Sequence, residues 1–145
     1  VLHPTELCRD HADASIVTFE DALLEARVRE SLRLDEQDDL TCDLVSDLTA
    51  LNVRPAGIES LAGIQNLSGL TSLYVRGTSI TDVSALSELT ALTELRLSSN
   101  PGFSNIEPLL DHREIDSVSL LDTRVSCANV ARLQSNGLFV FSACQ

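Results

Sequence analysis

Side chains able to bind a metal gather near the amino terminus. Cys8 and His11 form a Cys-x-x-His pair, with Asp10 and Asp13 beside them. A zinc site would need Cys8 as a thiolate, and a disulfide at this cysteine removes it. A second acidic group lacks the spaced oxygen ligands and the glycine of a calcium loop. That group is Asp38, Asp39, Asp43 and Asp47. We therefore expect no metal and no other cofactor.

Residue types that could catalyse a reaction do not form a recognisable set. His3 and His11 fall in a predicted tail, and His112 falls in a predicted turn. No serine occupies a Gly-x-Ser-x-Gly elbow, and no nucleophile has an obvious base. The sequence also lacks a glycine-rich loop that could hold a phosphate. We therefore predict that the protein is not an enzyme.

The charge of the chain limits its partners. It has 22 acidic and 10 basic residues and a net charge of −12. An acidic surface repels phosphate groups, so we expect no nucleic-acid partner and no docking on anionic lipid. No apolar run approaches the roughly 20 residues that a membrane helix needs, so we expect no direct membrane insertion.

An apolar pattern repeats along the chain with a period of 22 to 23 residues. Its first half, Leu-x-x-Leu-x-Val or a close variant, occurs at residues 48–53, 70–75, 92–97 and 115–120. Its second half has an apolar residue at every third position and occurs at residues 58–67, 80–89 and 103–109. Alternating apolar and polar residues predict a half-buried strand, and period three predicts a tight helical turn. One unit cannot bury its apolar edge alone, so the repeats predict a stacked solenoid with a parallel sheet.

The stretch from Ile80 to Asn100 resembles the 22-residue repeat of bacterial internalin-like leucine-rich-repeat proteins, and the resemblance covers residues 40–125. It implies an α/β solenoid, a short right-handed superhelix with a parallel concave β-sheet and convex 3₁₀ turns. It also implies a function, since internalin-like proteins are mostly cell-surface or secreted binding proteins.

The chain departs from the family pattern at the buried asparagine of each repeat. The asparagine is present once, as Asn100, and the equivalent positions hold Ala56, Thr78 and Thr123. These substitutions predict an incomplete ladder of side-chain hydrogen bonds to the backbone.

A solenoid needs its two ends covered, which predicts four parts. These are an N-terminal tail tethered by Cys8 (1–16), a helical N-terminal cap (17–47), the leucine-rich repeats (48–125) and a disulfide-stapled C-terminal cap (126–145). In the first cap we expect Thr18 to be the helix N-cap, with Asp21 in the first turn. The apolar face expected to cover the first repeat is Phe19, Leu23, Val28 and Leu32.

In the second cap, Ser126 is expected to begin a helix that Asn136-Gly137 ends, because glycine adopts the left-handed conformation freely. Residues 138–141 then predict a last strand whose facing is ambiguous. A 20-residue offset from Val118 turns Leu138 and Val140 inward, and a 23-residue offset turns Phe141 inward. We favour the first, because the helix ends abruptly.

The four cysteines predict two disulfides and an oxidising compartment. Three pairings are possible. About four strand layers of ~4.8 Å separate Cys42 from Cys127, and a disulfide needs Cα atoms within about 7 Å. The pairing should therefore be local, joining Cys8 to Cys42 and Cys127 to Cys144.

Outward strand positions align in columns on the concave face, and they carry the candidate binding residues. Three of the ten arginines and the single tyrosine fall there, types that often anchor interfaces. The candidate site is Asn52, Arg54, Tyr74, Arg76, Glu94, Arg96 and Ser119. We expect a basic patch beside Tyr74, with Glu94 offsetting only part of its charge.

These features predict a secreted, periplasmic or cell-surface module that binds a protein or acidic glycan through its concave face. The alternative is a structural or assembly module that self-associates or docks on a neighbouring domain. A monomer is expected more than a homo-oligomer.

Overall fold

The computed structural model describes residues 1–54 and 57–144. Within them lie four α-helices, α1 (Ala22–Leu32), α2 (Cys42–Ser46), α3 (Glu107–Leu110) and α4 (Cys127–Ser135). The same residues contain five strands, β1 (Ala50–Val53), β2 (Ser72–Val75), β3 (Glu94–Arg96), β4 (Ser117–Ser119) and β5 (Phe139–Phe141). No helix of the described residues is long and apolar enough to cross a membrane.

The described strands form one parallel sheet in the order of the chain, β1 to β5. Leu51 pairs with Leu73, Leu73 with Leu95, and Leu95 with Val118. This register is the one predicted from the repeat offsets, so the stacked solenoid is confirmed. The reason is periodicity: a slip of one residue would turn every buried leucine to solvent.

Between the strands, the chain returns along the opposite side of the core through short helical turns. Two of them are 3₁₀ helices, Ile64–Asn66 and Ser84–Glu88. Their period-three apolar residues are buried, among them Leu67 and Leu86. The third return is different, because α3 is a single α-helical turn with Pro108 near its start, where proline is tolerated.

Asn100 is fully buried and connects neighbouring repeats. Its Nδ2 donates to the carbonyls of Val75 at 2.7 Å and Leu97 at 2.6 Å. Its Oδ1 accepts from the backbone N–H of Thr78, and the Thr78 hydroxyl donates to it as well. The Thr123 hydroxyl donates to the carbonyl of Leu120 at 2.7 Å. Both threonines therefore supply part of the bonding that the sequence pattern left incomplete, while Ala56 lies outside the described residues.

The N-terminal cap corrects two sequence predictions. Asp21, not Thr18, is the N-cap of α1 and accepts from the N–H of Leu23 at 2.9 Å. Thr18 is instead tied to the tail, since its hydroxyl donates to the carbonyl of Leu2 at 2.6 Å. Leu24 and Val28 are four residues apart and share the buried face of α1, whereas Leu23 is five residues from Val28 and is 45% exposed.

The first cap approaches the repeats closely at Gly63, which begins the first 3₁₀ turn. Its φ is +110°, and a Cβ there would lie 2.7 Å from the carbonyl oxygen of Thr18 and 2.5 Å from Cδ1 of Phe19. Glycine is required because only it adopts this conformation and leaves that space.

Two buried polar side chains of the first repeat hold the N-terminal tail. Gln65 donates to the carbonyl of Pro4 at 2.6 Å. Asn66 donates to the carbonyl of Glu6 at 2.9 Å and accepts from the N–H of Cys8 at 2.7 Å. The tail therefore packs against the return side of the solenoid.

The C-terminal cap has the predicted helix boundaries. The Ser126 hydroxyl accepts from the N–H of Asn129, and Gly137 has a φ of +90°. β5 pairs with β4 through Val118 and Val140, an offset of 22 residues rather than 20 or 23. This even offset turns Leu138 and Val140 inward, as favoured, and leaves Phe139 and Phe141 outward on the sheet.

Both disulfides have the predicted local pairing. Cys8 is joined to Cys42 with a Cα–Cα distance of 5.6 Å, and Cys127 to Cys144 at 5.5 Å. Each bridge links a terminal segment to its own cap, so the two ends of the solenoid are fastened independently.

Candidate functional site

All of the sequence-predicted site residues line one open cavity of about 420 Å³ on the outward face of the sheet. We call this the concave cavity. Strand alternation places Asn52, Tyr74, Arg96 and Ser119 side by side in one column. Arg54 and Arg76 follow β1 and β2 in the next column, and Glu94 precedes Arg96 on β3.

Tyr74, Glu94 and Arg96 form one cluster in the middle of the cavity. The Arg96 Nη2 lies 2.9 Å from Oε1 of Glu94, and its Nε donates to the same oxygen at 3.0 Å. The Tyr74 hydroxyl donates to Oε2 of Glu94 at 3.2 Å. Arg96 also lies over the Tyr74 ring, with Cζ 4.7 Å from the centroid, a favourable cation–π arrangement. Glu94 thus orients both side chains and balances the charge of one arginine.

Arg54 and Arg76 are different, because both are exposed. Neither forms an ion pair with a carboxylate of residues 1–54 or 57–144. Arg54 is held through its backbone, whose carbonyl accepts from Nε of Arg27. These two guanidinium groups are therefore the cations of the cavity that are available to a ligand.

The polar side chains at the edges of the middle column play different parts. Ser119 is half-buried, and its hydroxyl lies 2.5 Å from that of Ser98. Asn52 is exposed at the end of the column. Ser119 is thus already hydrogen-bonded within the protein, and Asn52 presents its amide to solvent.

The sequence prediction of a basic patch needs correction in its extent. Glu94 is bonded to Arg96, and Asp122 also lines the cavity. Two carboxylates therefore stand against three guanidinium groups, and the positive charge is concentrated at Arg54 and Arg76. Asp122 was missed because it follows β4 in a turn with a φ of +57°, outside the strand columns.

The sequence prediction also missed Phe141, which lines the cavity in the column that continues from Ser119. The signal was present in the sequence. Turning Leu138 and Val140 inward necessarily turns Phe139 and Phe141 outward, because successive strand residues face opposite sides. Leu121, which follows β4, lies in the cavity as well.

Other candidate chemistry falls outside this cavity. Cys8 is disulfide-bonded, so it cannot supply a thiolate to the His11 cluster. His112 is buried, with Nε2 2.9 Å from the carbonyl oxygen of Leu89 and Nδ1 3.4 Å from Glu114. A carbonyl oxygen accepts, so the Nε2 of His112 carries the proton and holds two repeats together. Its position is structural rather than part of a surface site.

Comparison with known proteins identifies the repeat. Residues 68–111 match the family of leucine-rich repeats in two copies. Among curated proteins, no sequence matches significantly. An internalin (inlF) from Listeria monocytogenes is similar in structure, with a TM-score of 0.72 and 28% identity over 87% of this chain. This chain spans 37% of that internalin.

A second solved structure shares the fold alone. It contains the CBM51-2 and INT domains of ZmpB from Clostridium perfringens, in complex with GlcNAc. Its TM-score is 0.57 and its identity 23%, covering 62% of this chain and 19% of that one. The shared architecture is the stacked repeat described above.

Proposed function

We propose that this chain is a leucine-rich-repeat module of the bacterial internalin-like type and that its concave cavity binds a protein or an acidic glycan outside the cytoplasm. The observation that carries this proposal is the cavity itself. It brings Arg54, Arg76 and the Tyr74 cluster together on a chain whose net charge is −12.

The proposed mechanism follows from the two kinds of side chain in the cavity. The free guanidinium groups of Arg54 and Arg76 each offer paired N–H donors that match a carboxylate or a sulfate. The half-buried Tyr74 ring adds a flat apolar contact held in place by Glu94 and Arg96. No covalent step is required, so the proposed activity is recognition and not catalysis.

The proposed location rests on the disulfides. Both bridges join terminal segments to the caps, and such bonds persist in oxidising compartments such as the periplasm or the cell surface. A secreted or surface location also places the cavity where protein and glycan ligands occur.

One observation favours the alternative of an assembly module. β5 is the last described strand of the sheet, and it carries two exposed phenylalanines, Phe139 and Phe141. An open strand edge of this kind can pair with another chain. Sedimentation velocity distinguishes the two functions, because a monomer leaves the cavity free and a tight dimer through β5 favours assembly.

The test of the proposal is a binding scan with the whole chain against immobilised sulfated and uronic oligosaccharides and acidic peptides. For any probe that binds, Tyr74→Ala and Arg76→Ala should each weaken binding by more than about 1 kcal/mol. The matched control is Arg113→Ala, which removes an exposed arginine that does not line the cavity.

A second control lies on the return side of the solenoid. Glu88 ends the second 3₁₀ turn, and its carboxylate lies 3.0 Å from the guanidinium of Arg9 in the tail. Glu88→Ala therefore changes the charge of the solenoid face opposite the cavity. Binding that is lost in Glu88→Ala and retained in the two cavity variants would reject the site and favour assembly.

A further inference from the structure

The two ends of the concave cavity have different chemistry. Toward β1 and β2 it presents the guanidinium groups of Arg54 and Arg76, which are exposed and free of ion pairs among the described residues. Toward β4 and β5 it presents apolar side chains. We call this second part the apolar end. It consists of Leu121 and Phe141, which line the cavity, and of Phe139, whose ring packs against Phe141 beside it.

The apolar end is unusually exposed for residues of this kind. Phe139 is 62% exposed, Phe141 54% and Leu121 43%. The two phenyl rings pack edge to face with their centroids 4.8 Å apart. The chain has only four phenylalanines, and placing two of them on the surface in one contiguous patch marks a site of contact.

Carboxylates of the protein flank the middle and the apolar end. Glu94 lies between the two ends and is bonded to Arg96, and Asp122 lines the cavity on the side of Leu121. Because Arg96 balances the charge of Glu94, the middle of the cavity offers no free cation, and Asp122 would repel a uniformly anionic glycan that spanned the cavity. The charge pattern instead fits a ligand that is anionic at one end only and apolar at the other.

Resting on the proposed function, we infer that the ligand is an extended protein segment carrying one acidic side chain and one aromatic or large aliphatic side chain. The acidic side chain binds Arg76, with Arg54 beside it. The apolar side chain packs on Phe141 and Leu121. The Tyr74–Glu94–Arg96 cluster forms the floor between them.

The sheet fixes the spacing of these two side chains. Phe141 lies in the column of Tyr74, three strand intervals from β2, which is roughly 14 Å across the sheet at about 4.8 Å per interval. Arg76 lies two residues beyond Tyr74, about 7 Å further along the strand, so the two sites are roughly 16 Å apart. An extended peptide advances about 3.3 Å per residue, so the acidic and apolar residues should be about five positions apart. A segment crossing the strands can satisfy both contacts at once.

The experiment selects peptides from a random 12-residue library displayed on phage, with the whole chain as the immobilised target. The enriched peptides should share an Asp or Glu separated by three to six positions from Phe, Tyr, Trp or Leu. Synthetic versions are then titrated against the protein and its variants Arg76→Glu and Phe141→Ser. Both positions are exposed, so both variants should fold, which circular dichroism and thermal melting verify.

Double-mutant cycles decide the assignment of each contact. Arg76→Glu should weaken a selected peptide at least tenfold, and this loss should vanish when the acidic residue of the peptide is replaced by alanine. Phe141→Ser should weaken it at least fivefold, and that loss should vanish when the apolar residue is replaced. Arg113→Glu, of equal charge change outside the cavity, should shift affinity less than twofold.

Each other outcome overturns the inference in a distinguishable way. A library without binders, peptides without an acidic residue, or cycles without coupling would reject the protein segment. A heparin oligosaccharide that binds with sensitivity to Arg76→Glu but not to Phe141→Ser would leave the proposed function standing and reject this ligand class. If a probe binds and neither Arg76→Glu nor Phe141→Ser changes its affinity, both the proposed function of the cavity and the inferred ligand class are rejected. A dimer that Phe141→Ser dissociates would assign the apolar end to a second copy of the chain.

Discussion

The guanidinium of Arg96 lies over the ring of Tyr74, 4.7 Å from Cζ to the ring centroid, while both side chains bond to Glu94. These residues come from adjacent strands, and Arg96 and Tyr74 are direct partners in the sheet register. The arrangement places the single tyrosine of a chain without tryptophan in the middle of the concave cavity. Intrinsic fluorescence therefore reports on this site.

The first prediction uses that property. A carboxylate that accepts the phenolic proton quenches tyrosine emission, so Glu94→Gln should increase the emission of the folded protein. The same substitution removes the negative charge that balances Arg96, so binding of an acidic peptide should become tighter and more dependent on salt. Emission spectra and titrations at two ionic strengths measure both effects. Glu88→Gln, on the return side, serves as the control, and an equal change in the two variants would contradict the cluster.

The repeats could be predicted from the sequence because one physical constraint recurs in each. Leu51, Leu73 and Leu95 lie 22 residues apart and occupy the same buried place in successive layers. Because the same spacing recurs in every repeat, an uncertain alignment of one repeat is resolved by its neighbours. The disulfide pairing followed from the same stacking, since distant layers cannot approach within bonding distance.

The caps and the charge of the cavity could not be predicted as well, because each depends on one contact that occurs once. Thr18 and Asp21 are both residue types that cap helices, and contacts that occur once separate them, since the Thr18 hydroxyl donates to the carbonyl of Leu2 and Asp21 accepts from the N–H of Leu23. Likewise, alternation places Glu94 and Arg96 on the same face but does not reveal their ion pair. Strand patterns fix the side of the sheet a residue occupies, and side-chain rotamers decide its partners.

The second prediction concerns Leu95, which is fully buried between β2 and β4. Leu95→Ala should lower the free energy of unfolding by about 2–5 kcal/mol, because it removes methyl groups and leaves a cavity. Urea denaturation followed by circular dichroism measures this. Leu121→Ala is the matched control at an exposed leucine and should cost less than about 1 kcal/mol. A loss at Leu95 no larger than at Leu121 would contradict the register.

The third prediction concerns the two disulfides. Peptide mapping without reductant should recover Cys8 joined to Cys42 and Cys127 joined to Cys144, and no free thiol. Replacing each pair by alanine removes bridges that span 34 and 17 residues, respectively. Loop-closure entropy then predicts losses of about 4 and about 3 kcal/mol. Thermal melting of the two double variants tests the order, and a larger loss at the C-terminal bridge would contradict the entropic account.

The last prediction concerns Asp21, which joins the N-terminal helix to the first repeat. Its carboxylate accepts from the N–H of Leu23 at 2.9 Å and from the N–H of Glu59 at 2.8 Å. Burial alone would raise the pKa of Asp21. Hydrogen bonds from backbone N–H groups, first that of Glu59 and then that of Leu23, have the larger combined effect and hold the pKa below its ordinary value of 3.8. Asp21→Ala should therefore cost about 0.5–2 kcal/mol at pH 7, the usual range for losing an acidic N-cap.

The lowered pKa of Asp21 fixes how this cost depends on pH. A carboxyl group whose pKa is lower in the folded state contributes fully above its unfolded value, and the contribution is lost as pH falls through the folded pKa. The difference in unfolding free energy between the wild-type protein and Asp21→Ala should thus be constant from pH 7 to about 5 and shrink below about pH 4. Asp39→Ala, at an exposed aspartate, controls for the general change in charge. A difference that stays constant down to pH 2, or that shrinks equally for Asp39→Ala, would show that the Asp21 carboxylate does not stabilise the junction between the cap and the repeats.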